Sequence, residues 1–119
     1  MQAHPAAVMN EDPFRGEKLD LVSRDFWVKF LENHQQNWAL IEEVEGGEAT
    51  VYFLAETSEI FDELPFPSTT AASEGLLRNG FRRFQTFDEA RKLFAAPSPP
   101  FHRLRFQFPV YSSGDHWSA

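Results

Sequence analysis

The chain has no cysteine, which excludes disulfides, thiolate metal sites and thiol catalysis. No segment approaches the ~20 consecutive apolar residues that a membrane-spanning helix requires. The first residues, MQAHPAAVMNEDPFRGEK, lack a basic stretch followed by an apolar run, so a secretory leader is not expected. Neither lysine nor arginine occurs anywhere in residues 30–77. These absences point to a cytoplasmic protein that does not engage membranes.

What is present is aromatic and acidic. The 119 residues include thirteen phenylalanines and three tryptophans, enough large rings to build one core or a core and a contact surface. The net charge is −7 and it is divided unevenly. Residues 30–77 hold ten acids, whereas residues 78–119 hold seven basic residues against three acids. An acidic middle joined to a basic end is the main global feature of the sequence. Residues 1–18 are polar and aperiodic and are expected to form a flexible leader. Residues 19–119 are expected to form one domain.

The pattern along the chain predicts an α+β domain. In SRDFWVKFLENHQ, the residues Phe26, Trp27, Phe30, Leu31 and His34 share one helical face. Ser23 stands as a candidate N-cap, so a helix is predicted over residues 23–34, with a strand as the rival. Two β-rich runs flank Gly46-Gly47, which suits a two-residue hairpin turn. That turn sets Leu40 opposite Phe53, with Ile41, Glu43, Tyr52, Leu54 and Glu48 on the other face. IFDELPF predicts a third strand, and Pro65 assigns it to an edge or an end. A helix is predicted from Thr69 to Asn79, capped by Ser68 and stopped by Gly80. TFDEARKLFAA predicts a second short helix with a Thr86–Glu89 capping box. FHRLRFQFPV alternates cleanly and predicts the last strand. The expected architecture is an antiparallel sheet of three to five strands, with two or three helices packed on one face in two layers.

Candidate sites follow from charge and rings. The acidic hairpin face, Glu43, Glu45 and Glu48 with Ile41, Tyr52 and Leu54 as an apolar anchor, reads as a surface for another protein of basic character. The stretch LLRNGFRRF supplies the alternative. In that reading Arg82, Arg83 and Arg105 hold an anionic group in a pocket lined by Phe81 and Trp117. A third reading places single-stranded nucleic acid on the same basic and aromatic residues, but an acidic domain opposes phosphate binding. A structural role is also open: Phe81 and Phe84 as core anchors, and Arg103 and Arg105 paired across strands with Glu43 and Glu45.

Catalysis is not expected. YSSGDHW crowds serine, aspartate and histidine into one short turn, without the separate supporting elements a triad needs. The four histidines show no metal-ligand spacing, so neither a metal nor another cofactor is expected.

Three strings, VYFLAETSEIFDELPF, LLRNGFRRF and YSSGDHW, together resemble small uncharacterised proteobacterial proteins of the kind carried on mobile gene cassettes. The resemblance spans roughly residues 37–117. It implies no activity, cofactor or site. It does imply that Asn79, Gly80 and Phe81 pack near the C-terminal turn.

Overall fold

The computed structural model describes residues 15–31, 35–104 and Trp117. Seven strands form one sheet: β1 (Arg15–Leu19), β2 (Asp25–Phe30), β3 (Gln36–Glu43), β4 (Ala49–Leu54), β5 (Glu59–Phe66), β6 (Arg82–Arg83) and β7 (Phe101–Leu104). Two α-helices accompany them, α1 (Thr69–Arg78) and α2 (Asp88–Leu93). The spatial order is β1-β7-β5-β4-β3-β2-β6. All neighbours are antiparallel except β5 and β7, which run parallel. The α+β class holds, but the strand number exceeds three to five. The two added strands are β1, which pairs with β7 where a leader to residue 18 was expected, and β2, which replaces the predicted first helix.

The reason for β2 is visible in its packing. Phe26 and Val28 enter the core on one face of the sheet, and Trp27 enters a second core on the other. A strand buried on both faces loses the polar alternation that marks a half-exposed one. Its apolar run then imitates a helical face. Ser23 therefore caps no helix: its Oγ accepts from Asp25 N at 3.1 Å in a local turn, and the chain leaves that turn extended. His34, assigned to the same helical face, lies outside the described residues.

The hairpin corrects a second expectation. Its turn holds three residues, Glu45–Gly47, closed by Val44 N donating to Glu48 O at 2.8 Å. Gly46 and Gly47 have φ of 90° and 88°, a region costly for other residues. The extra turn residue moves the register by one, so Leu40 faces Tyr52 and Ala39 faces Phe53. A one-residue shift exchanges which β4 side chains share a face with which β3 side chains.

The sheet therefore carries two cores. One face joins Trp27, Ala39, Ile41, Val51, Phe53 and Phe81 under Ala72 and Leu76 of α1. The other joins Phe26, Val28, Trp38, Leu40, Leu54, Ile60 and Phe101, with Phe84, Phe87 and Phe94 around α2 packed against it. Helices thus cover both faces rather than one. The caps of α1 are as expected: Ser68 Oγ accepts from Ala71 N at 3.0 Å, and Gly80 follows with φ of 89°. The start of α2 differs, because Thr86 belongs to a 3-10 turn and Phe87 takes the cap position. Pro65 sits opposite Thr50 near the end of β5, past the Glu59 and Ile60 positions that pair with β7. Among the described residues, no helix is long and apolar enough to cross a membrane.

Candidate functional site

The N-terminal half of α1 stands beside the ends of β2 and β3 and leaves an open cleft of about 530 Å³. Two features of the sequence place the helix there. Ser68 fixes its first turn, and Gly75 lets it approach β5, because a Cβ at that position would lie 3.1 Å from the Phe66 ring. Thr69, Thr70 and Ser73, three and four residues apart, then border the cleft from one side of the helix.

The opposite wall is charged. Asp25, Glu42 and Glu43 border the cleft with Arg83 as its only cationic residue among the described residues, which leaves two of these negative charges unbalanced. Arg83 Nε meets Asp25 Oδ1 at 3.1 Å, and its guanidinium lies 4.9 Å from the Trp27 ring centre. Arg83 is registered opposite Trp27 and Asp25 lies two residues earlier, so the ion pair is a diagonal cross-strand contact on one face. Both side chains are partly exposed, so the pair contributes ~0–1 kcal/mol to stability. Its main effect is to hold Arg83 at the rim. The Glu42 carboxylate accepts from Val22 N at 3.2 Å and Ser23 N at 2.8 Å, which ties the β1–β2 connection to the end of β3. Glu43 is exposed, and Glu45 and Glu48 continue the acidic edge around the exposed hairpin tip. These three form no ion pair among the described residues.

The other expected surface residues separate. Ile41 is 3% exposed in the core under α1, and Leu54 is fully buried in the opposite core. The apolar anchor imagined for the acidic face is therefore interior. Tyr52 is half-buried on the Leu54 side, registered opposite Glu63. Burial, and then the charge of Glu63, raise its phenol above the ordinary value of 10.0. Glu63 is in turn held by Arg103, which also approaches Glu17 at 3.8 Å. Arg103 does pair with an acid of residues 30–77, but not with a hairpin glutamate, because β7 lies beside β5 and β1.

The basic-aromatic residues also part company. Arg82 stacks at 3.8 Å on Phe87, on the α2 side, while Arg83 meets Trp27 on the α1 side. Alternation along β6 sends the two guanidinium groups to opposite faces, so they do not converge on one anion. Arg105 lies outside the described residues. Phe81 is buried, and Trp117 packs on Phe53 and Phe81 with ring centres at 5.4 and 6.4 Å. These rings fill a core rather than line a pocket, and they place Trp117 beside the Asn79–Phe81 turn. Ser112, Ser113, Asp115 and His116 lie outside the described residues.

Of the residues that border the cleft, sequence reasoning had singled out Ile41, Glu43 and Arg83 as site candidates, in separate readings, but not Ser23, Asp25, Glu42, Thr69, Thr70 or Ser73. The one usable signal was the hydroxyl-rich helix start PSTTAAS, which marks a capped, solvent-facing first turn. Its position opposite Asp25 depends on the strand nature of β2. Comparison of the chain with protein-family models, with curated proteins and with solved structures finds no match.

Proposed function

We propose that this protein acts by contact rather than catalysis, as an interaction module whose acidic cleft receives a basic segment of a partner protein. The observation that carries this reading is the gathering of Asp25, Glu42 and Glu43 around one open cleft, with Arg83 already paired to Asp25. The exposed Glu45 and Glu48 extend the negative field beyond the cleft mouth, where it steers a cationic partner during approach. The hydroxyls of Thr69, Thr70 and Ser73 add hydrogen-bonding groups that a lysine ammonium or an arginine fork can use.

The test is titration with a capped six-lysine peptide, followed by amide chemical shifts and by fluorescence anisotropy at several salt concentrations. Salt-sensitive binding is expected, with shifts at Ser23, Asp25, Glu43 and Thr70. The double variant Glu43→Lys, Glu45→Lys is expected to weaken it at least ~10-fold, as reversing two charges within a Debye length should. A control with the same change in net charge, Glu56→Lys with Glu74→Lys, is expected to bind nearly as the parent does. Equal weakening by the two double variants would reduce the interaction to bulk charge and end this reading.

A further inference from the structure

The connection between β1 and β2, residues 20–24, is a ridge with a cleft on each side. The acidic cleft lies on one flank. On the other is a second cleft of about 470 Å³, bordered by Lys18, Asp20 and Arg24 and by Pro99, Pro100 and Phe101. Val22 borders both clefts and, at 83% exposed, is the most exposed large apolar side chain among the described residues. A single exposed valine is ordinary on a protein surface. Its position between two clefts of opposite charge is not.

The charges reverse across the ridge. Two carboxylates are unbalanced on the first flank, whereas on the second Lys18 and Arg24 outnumber Asp20. The ridge is also held in place. Glu42 accepts from the amides of Val22 and Ser23, and Arg24 Nη1 donates to Leu21 O at 2.8 Å and Ser23 O at 2.7 Å. The Arg24 guanidinium lies 5.6 Å from the Phe101 ring centre, and its remaining N–H groups keep donor capacity toward a ligand. A surface fixed before binding loses little conformational freedom when it is occupied.

We infer that the two clefts form one groove for an extended segment of a partner protein that carries a basic, an apolar and an acidic side chain in succession. The basic group enters the acidic cleft, the apolar group covers Val22, and the acidic group meets Lys18 and Arg24. This inference rests on the acidic-cleft reading and adds the polarity and the apolar anchor that the hairpin face lacks.

The probes are two capped peptides, KKLLEE and its reverse EELLKK, with KKSSEE and EESSKK as matched controls. At ~0.15 M salt, where long-range attraction is screened, one leucine peptide is expected to bind about tenfold tighter than its serine control. Amide shifts are expected on both flanks, at Asp25 and Glu43 and at Lys18 and Phe101. Val22→Ser is expected to remove the leucine advantage. Lys18→Glu, an exposed substitution, is expected to weaken the tighter leucine peptide but leave six-lysine binding intact. Shifts confined to the acidic cleft, with no gain from leucine, would overturn the groove and leave the acidic-cleft reading standing. Shifts confined to the Lys18 flank would overturn both.

Discussion

The two faces of the sheet are filled by different means. On the α2 side, ring packs on ring: Trp38 meets Phe84 at 5.0 Å and Phe26 at 6.2 Å, and Phe30 meets Phe94 at 5.1 Å and Phe87 at 5.9 Å. On the α1 side, a ring cluster of Phe53, Phe81 and Trp117 sits beside small residues that admit a longer helix, with Ala39 and Ala49 in the sheet and Ala72 and Gly75 in the helix all buried. Rings of variable tilt close a surface even where the overlying helix has only six residues. A ten-residue helix is a straight rod, and where its first turn passes the sheet's edge the space beneath becomes the acidic cleft. The contrast teaches that rings close the α2 side under a short helix, and that the acidic cleft opens where small side chains admit a longer one.

The sharpest way to break this contrast is Trp38→Ala. Trp38 is fully buried at the centre of the aromatic face, and its loss is expected to cost about 3–5 kcal/mol in denaturant unfolding. A loss below ~1 kcal/mol, the scale of an ordinary surface change, would mean that the aromatic face is not close-packed. Ser68→Ala acts on the other face without touching the core. It is expected to cost about 1 kcal/mol and to speed hydrogen exchange at Ala71, whose amide donates to the Ser68 hydroxyl. If exchange there is unchanged, the helix start does not depend on its cap. The smallest effect is expected from Tyr52→Phe. The raised Tyr52 phenol favours the protonated form in the folded state, so its contribution is complete below the ordinary tyrosine value of 10.0. That contribution falls as pH rises through the higher folded value. Stability of the parent relative to the phenylalanine variant should therefore decline only in alkali, and a difference that first changes near pH 7 would contradict the assignment.

The same contrast explains what was legible beforehand. The elements β3, β4, β5 and α1 were readable because their signals are local: Gly46-Gly47, the alternation in IFDELPF, and Ser68 with Gly80 at the helix ends. The identity of β2 was not readable, because a strand feeding two cores offers apolar residues at consecutive positions and loses its period of two. The register of the hairpin turned on a single residue in its turn, and that residue put Ile41 and Leu54 on opposite faces of the sheet, each in a core of its own. The charge pairing was legible in kind, as basic residues of the last strand with the chain's own acids. The partner of Arg103 was not, because the parallel placement of β7 beside β5 is a long-range outcome with no local mark. The cleft was the least legible feature, since its walls come from β2, β3 and α1.

The three tryptophans fall on the two sides of the sheet. Trp38 donates its indole N–H to Gln36 Oε1 at 3.0 Å on the aromatic side. Trp27 and Trp117 lie on the α1 side, each with a buried indole N–H that has no acceptor among the described residues. Replacing Trp38 by phenylalanine, or the other two together, leaves fluorophores on one side only. Emission wavelength and quencher access then report on each side separately during unfolding, with no extrinsic dye. Coincident curves would identify one cooperative unit, and divergent curves would show which side opens first.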